Sequence, residues 1–286
     1  MTFQTESPIK HHPDDWSFTS KAHHHVERTV HPVIVELIKW ATQTLPPGSS
    51  STVLDDGCGL GTVTAEVKKS FPDVSVIAID SSAGMLEVVE RKAKKHNWKN
   101  VETKLLDGGD LSGVSSASIS HAFACTVIDL AHNGTACIQE ISRVIAHGGI
   151  LGINTWADPI HPSISIPWTR ACQKVYPDFK APLVTSPKWS TAEKIKESLE
   201  KAGFKDVQTK QVMTHWQWAG PDEMTEWFFN GGNPVCKRWH EALVDEVGGE
   251  LEGMRERFHE ELEKEYRNEG GRLLKEELVN LTIARK

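Results

Sequence analysis

At 286 residues, with 38% hydrophobic and 25% charged side chains, the chain has ordinary globular composition and room for one large core plus a cap. Its formal charge of −7 lacks the basic excess of a protein that grips phosphate backbones, so the expected partner is a small molecule and not nucleic acid. Five scattered cysteines without a C-x-x-C pair argue against a disulfide framework or zinc ribbon and suit a reducing cytoplasm, and no apolar run reaches the roughly 18 residues that span a bilayer, so no membrane partner is expected.

Residues 1 to about 20 are polar and irregular and include Trp16 and Phe18; His31 to Thr44 then carries Val33, Ile34, Leu37, Ile38 and Ala41 at helical spacing. Pro46, Pro47, Gly48 and the serines after them break the chain before the core begins near Ser51. Thr52 to Asp55 reads as the first strand. It runs into Asp56-Gly57-Cys58-Gly59-Leu60-Gly61, where glycines permit a sharp strand-to-helix turn and close approach to a ligand. Asp80 closes the next apolar run, placed where a carboxylate accepts hydrogen bonds from ribose hydroxyls.

This adenosine-type pattern is G-x-G-x-G preceded by acids, not the dinucleotide fingerprint G-x-G-x-x-G. Asp55 and Asp56 at a helix N-terminus oppose a pyrophosphate but suit a cation. S-adenosylmethionine carries both an ammonium and a sulfonium. A carboxylate about 4 Å from either charge is worth roughly 4 kcal/mol at an effective dielectric near 20. NAD and ATP are the weaker readings.

Further strands are expected at Val74 to Asp80, Val101 to Leu106, Ile119 to Cys125 and Ile150 to Trp156, with helices at Thr62 to Ser70, Ala83 to Lys95 and Gly134 to Ala146. Such alternation builds a doubly wound parallel sheet. Ala157 to Trp189, rich in Pro, Ser and aromatic residues, breaks the pattern as an insertion. A capped helix to about Ala202, a strand over Asp206 to Trp218, helices at Pro221 to Asn230, Lys237 to Val247 and Glu250 to Tyr266, and a last strand over Glu277 to Ala284 complete the chain. The expected fold is α/β: a Rossmann-like, mostly parallel seven-stranded sheet with helices on both faces, an N-terminal helical lid and cap insertions. Its expected divisions are 1–50 for lid and helix, 51–156 for the cofactor core, 157–189 for the cap insertion and 190–286 for the remaining core with a helical excursion.

The motifs Val53 to Gly61, Ile79-Asp80-Ser81 with Met85-Leu86-Glu87, Leu106-Asp107-Gly108, and Glu140 to Ile145 followed by Gly148-Gly149 stand in order at family spacing. They resemble the class I S-adenosylmethionine-dependent methyltransferases, most closely the ubiquinone/menaquinone-biosynthesis type as used in fungal secondary metabolism. His147 replaces that family's usual proline. Asn97 to Lys104 and Thr155-Trp156 are similar to the gliotoxin bis-thiomethyltransferase type. The acceptor is not inherited from a resemblance, because relatives with similar cores methylate oxygen, nitrogen, carbon or sulfur.

The resemblance implies that Asp55, Gly57, Cys58, Gly59 and Gly61 hold the methionine end of S-adenosylmethionine. Asp80 and Ser81 then serve the ribose, while Met85, Asp107 and Gly108 serve the adenine. Phe123, Ala124 and Cys125 face the sulfonium, and the acceptor enters beside Thr126, with Trp16 and Phe18 folding over the site. Of the ten tryptophans, Trp156, Trp168, Trp189, Trp216, Trp218, Trp227 and Trp239 lie in or beside the excursions. They either fill the cap's own core or line an apolar acceptor pocket, where Trp156 and Trp168 are the named candidates. Adjacent histidines such as His23-His24-His25 cannot all face one ion from a regular helix, so no metal is expected. His24, His25, His121, His132, His161 and His215 are all open as a general base. The expected reaction is in-line transfer of a methyl group to S, O or N of a small metabolite, leaving S-adenosylhomocysteine. The alternatives are a scaffold that keeps the fold without turnover and an enzyme that uses the sulfonium for another reaction.

Overall fold

A computed structural model of the protein describes residues 23–268, 270 and 273–286. Seven strands form one sheet in the order β3-β2-β1-β4-β5-β7-β6. They are β1 (Thr52–Asp56), β2 (Ser75–Asp80), β3 (Val101–Leu105), β4 (Ile119–Cys125), β5 (Ile145–Trp156), β6 (Lys205–Trp218) and β7 (Leu273–Arg285). The first five run parallel, and β7 is antiparallel to both β5 and β6. The strand order reverses between β1 and β4, which opens a crevice at their carboxyl ends. Asp56, Asp80 and Cys125 end β1, β2 and β4 at that edge.

The helices are α1 (His23–Thr44), α2 (Thr62–Ser70), α3 (Ala83–His96), α4 (Gly134–Val144), α5 (Pro162–Gln173), α6 (Ala192–Lys201), α7 (Pro221–Asn230), α8 (Pro234–Glu241) and α9 (Met254–Asn268). Strands β1 and β4 are buried on both faces because helices cover both sides of the sheet, which explains their near-continuous apolar runs. Ser82 caps α3 by accepting from the Met85 N–H at 3.3 Å, and Asn133 caps α4 by accepting from the Ala136 N–H at 2.9 Å.

Four boundaries differ from the sequence expectation. Helix α1 starts eight residues before His31, because Val26, Val30 and Ile34 recur every four residues and continue its apolar stripe. Helix α4 stops at Val144, where buried Ile145 pairs with Ile119 and begins β5 five residues before Ile150. The 157–189 segment is not irregular throughout: buried Ile164, Trp168, Ala171 and Cys172 give α5 one packed face, and Pro162 at its start removes only an N–H that would lack a helical partner. After α8 the backbone widens into a π turn over Ala242–Glu246, and α9 begins at Met254.

Helix α9 packs on both α5 and α7, so the two excursions form one cap. Its core contains Trp168, Phe179, Phe228, Trp239, Phe258 and Leu262. Strands β6 and β7 pair from Lys205 with Arg285 through to Trp218 with Leu273, and α7, α8 and α9 are inserted between them at that far end.

Candidate functional site

The β1–α2 turn carries Gly57, Gly59 and Gly61 at φ +64°, +49° and +77°, backbone that glycine adopts without steric cost. A Cβ on Gly57 would stand 2.4 Å from Val127, so this position admits no side chain without displacing the β4–α4 connection. Gly59 instead faces open space, leaving its backbone free for a ligand to approach. Asp80 closes the turn from below. Its Oδ2 accepts from the Gly59 N–H at 2.9 Å and its Oδ1 accepts from the Ser82 N–H at 2.9 Å. Each carboxylate oxygen retains acceptor capacity for a ribose hydroxyl.

Three buried acids meet here. Asp55 Oδ2 accepts from both the N–H and hydroxyl of Thr64, at 3.0 and 2.6 Å, yet burial pushes its carboxyl up to about 6. Burial also raises Asp80 above its usual value. Among the described residues Asp56 has no hydrogen-bond partner on either oxygen, and burial followed by Asp107, Asp55 and Asp80 pushes it up to about 8, so it is largely protonated at neutral pH. A cation beside Asp55 would favour its ionised form, which is the chemistry an ammonium or sulfonium brings.

These residues open onto a cavity of about 750 Å³. Its cofactor end brings together Asp55, Gly57, Cys58, Gly59, Asp80, Ser81, Met85, Asp107, Cys125 and Thr126. Asp107 Oδ1 also accepts from the Gly109 N–H at 2.7 Å, so the residue shapes its own loop while facing the cavity. Glu140 accepts from the Leu111 N–H at 2.8 Å and pairs with Arg143, whose Nη2 donates to the Leu111 carbonyl at 2.7 Å. That pair pins the loop after Asp107. Thr126, a β-branched residue at φ +58°, holds an uncommon backbone at the cavity wall and accepts from Asn154 Nδ2 at 3.1 Å.

The family described as "Methyltransferase domain" matches residues 53–149, the stretch that supplies the glycine turn and its acids. Residues 53–149 therefore form an S-adenosylmethionine-dependent methyltransferase domain. Methyltransferase ucsB of Acremonium sp. is 26% identical over 212 residues, 70% of this chain and 72% of that protein. Methyltransferase tpcH of Aspergillus fumigatus is 23% identical over 168 residues, 56% of this chain and 59% of that protein, so this similarity takes in little more than half of tpcH. Phosphoethanolamine N-methyltransferase 2 of Haemonchus contortus, solved with S-adenosyl-L-methionine, shares the fold at a TM-score of 0.52 with 15% identity, over 88% of this chain and 52% of that one.

Gly61, Gly108, Phe123, Ala124 and Trp168, expected at the site, lie away from the cavity wall. Gly61 sits behind the turn against Val89, and a Cβ on Gly108 would meet Asp56 at 2.8 Å. Phe123 is buried against Gly152 and Ala124 within the sheet's other core, since alternate residues of β4 face opposite sides. Trp168 is fully buried in the cap, ringed by Phe179, Phe228, Phe229, His240 and Phe258 at 5.2–6.2 Å. It packs inside the cap and is not part of the cavity lining. Trp16 and Phe18 lie outside the described residues.

Elsewhere on the lining, Trp156 stacks on Trp216 at 5.8 Å, Trp216 on Trp218 at 5.7 Å, and Trp227 tilts against Trp216 at 5.7 Å. Trp156, Trp216 and Trp227, with Val26, Val30 and Ile34 of α1, make this end of the cavity apolar. The contribution of α1 and of Trp216 and Trp227 was not resolved from sequence as cavity lining; the four-residue spacing of Val26, Val30 and Ile34 was the available signal. Of the candidate bases, His132 and His161 line the cavity. His121 is buried beneath Leu45, whose carbonyl lies 2.8 Å from its Nε2, and His215 pairs with Glu276 at the surface. Among the described residues no cluster of three or more His, Cys, Asp or Glu could hold a metal ion, and no helix is long and apolar enough to cross a membrane.

Proposed function

We propose that this methyltransferase methylates a small, ring-bearing metabolite of secondary metabolism. The carrying observation is one continuous cavity with two chemically different ends: a turn of glycines and acids, and a wall of tryptophans. S-adenosylmethionine, when bound, supplies a methyl group already activated by its cationic sulfur. Asp55 and the Gly57–Gly59 backbone would hold its amino-acid end, Asp80 its ribose, and Met85 and Asp107 its adenine. Trp156, Trp216 and Trp227 would hold a planar acceptor by its faces, fixing the nucleophile in line with the methyl carbon. The similarity to ucsB and tpcH supports a metabolite acceptor, and five cysteines that form no disulfide with one another support action in a reducing cytoplasm.

Isothermal titration with S-adenosylhomocysteine and, separately, NAD tests the cofactor end; binding of the first alone is expected. A screen of thiols, phenols and heterocyclic amines by mass spectrometry then tests the reaction. Tight cofactor binding with no mass gain of a methyl group on any acceptor would favour the scaffold alternative.

A further inference from the structure

We propose that Glu27 of α1 is a second carboxylate for the cofactor's ammonium group, gripping it together with Asp55. This rests on the proposed seating of S-adenosylmethionine, in which Asp55 and the glycine turn hold its amino-acid end.

Glu27 lies ahead of residues 53–149, so the domain match assigns it no role. Helix α1 nevertheless brings it to the same helix start that Asp55 serves. Its Oε1 accepts from the Thr62 hydroxyl at 3.2 Å, two residues before Thr64, whose N–H and hydroxyl hold Asp55 Oδ2 at 3.0 and 2.6 Å. Glu27, Thr62, Asp55 and Gly59 all line the one cavity. Two carboxylates from separate elements, β1 and α1, therefore meet at the first turn of α2.

Lys92 of α3 orients the glutamate. Its Nζ donates to the Leu60 carbonyl at 2.7 Å, inside the glycine turn, and to Glu27 Oε1 at 3.1 Å. Both donors thus fall on one oxygen. His24 Nδ1 stands 3.7 Å from Oε2, beyond hydrogen-bond reach, and among the described residues no donor bonds to Oε2. With 26% of the Glu27 side chain accessible in a residue that lines the cavity, a ligand there reaches the carboxylate.

The hydrogen-bond needs of an ammonium group call for this second partner. It carries three N–H donors, while Asp55 already spends Oδ2 on two bonds from Thr64 and leaves Oδ1 for the ligand. Glu27 Oε2 supplies a further charged acceptor, and charge-assisted hydrogen bonds are the strong ones. Val26, Val30 and Ile34 line the same cavity from the same helix, so an ammonium held by Glu27 also fixes the helix that carries part of the apolar wall.

A mere tether between α1 and the turn would use Oε1 alone and would be indifferent to the charge of the ligand. The test exploits that difference. Wild type, E27Q, D55N and K92M are titrated calorimetrically with S-adenosylhomocysteine, with its deaminated analogue, in which hydrogen replaces the ammonium group, and with methylthioadenosine, which lacks the whole amino-acid end. Thermal melts check that each variant is folded. The expected result is that E27Q binds S-adenosylhomocysteine about ten- to a hundredfold more weakly and binds the other two at least as tightly as wild type does. D55N should show the same selective loss. K92M keeps the charge of Glu27 but frees its side chain, and should lose less than E27Q, again on S-adenosylhomocysteine alone. A loss in E27Q that the deaminated analogue shares in full would make Glu27 a tether of α1 and overturn the proposal. So would unchanged affinity of E27Q for all three ligands, or a wild type that binds S-adenosylhomocysteine no tighter than the deaminated analogue. Failure of wild type to bind S-adenosylhomocysteine at all is the separate result that sinks the cofactor seating itself.

Discussion

The two ends of the cavity are built on opposite principles. At the cofactor end, short β–α turns place neighbouring residues on one ligand: Gly57 to Gly61 bend round it, and Asp80 braces the same turn through the Gly59 N–H. At the acceptor end, Trp156, Trp216, Trp227 and His161 come from β5, β6, α7 and the start of α5, and meet only when the cap closes its own core. The first end is polar and holds acids that burial pushes toward their protonated forms; the second is apolar and walled by tryptophans. A site for a constant ligand can be local in sequence, whereas a site that differs between relatives is assembled from distant and variable segments.

The sharpest way to break this division is Trp168. If it belongs to the cap core, Trp168→Ala should cost about 3–5 kcal/mol of stability, read as a lowered melting temperature or denaturant midpoint. The gentler Trp168→Phe should leave S-adenosylhomocysteine affinity and acceptor KM unchanged. A raised KM with an unchanged melt would put Trp168 back on the acceptor wall.

Asp56 sharpens the description of the cofactor end as a reservoir of buried acid. With its folded pKa raised to about 8, the folded state holds a proton that the unfolded chain releases above ~4. Stability therefore falls as pH rises through that window. Asp56→Asn should stabilise on the order of 4 kcal/mol at pH 7 and very little at pH 4, measured by denaturant melts at both. Equal effects at the two pH values would show that Asp56 is ionised and partnered.

Asp80→Ala removes charge-assisted hydrogen bonds to ribose worth roughly 1.5–3 kcal/mol, so S-adenosylhomocysteine should bind about ten- to a hundredfold more weakly in isothermal titration. Unchanged affinity would remove Asp80 from the cofactor end and with it the contrast between the two ends.

What the sequence made legible follows the same line. The order of strands and helices was readable from Thr52 to Trp156, because each element there carries its own periodicity and its own stop signal. The acids at Asp55, Asp80 and Asp107 were readable because a strand end followed by a turn fixes where a side chain points. Helix α1 was read short, since the polar His23-His24-His25 run hid Val26 and Val30, which face inward toward the cavity. The sequence offers Trp156 and Trp168 alike as acceptor-wall candidates, although Trp156 ends a core strand and Trp168 lies in the 157–189 insertion. Only the packing of α9 on α5 and α7 decides that one faces the cavity and the other fills the cap. His161 was one of six equivalent histidines until β7 brought Glu277 to its Nδ1, across 116 positions of chain.

The smallest effect concerns pH, and it separates the two ends directly. Asp55 has its carboxyl raised to about 6 by burial, so it is ionised above that pH and largely protonated below it. A bound ammonium stabilises the ionised form, which means that cofactor binding expels a proton wherever Asp55 was protonated. Affinity for S-adenosylhomocysteine should be level above pH 7 and weaken by close to tenfold, about 1.4 kcal/mol, for each unit below 6. Isothermal titration in buffers of different ionisation enthalpy at pH 5.5 should register that released proton, and at pH 8 it should not. His161, held by Glu277 and raised above its usual value chiefly by that carboxylate, should leave this binding curve untouched. If H161N changes the pH dependence of cofactor affinity, the ends are electrostatically coupled and the division between them is wrong; if Asp55→Asn alone flattens it, the cofactor end titrates independently of the acceptor wall.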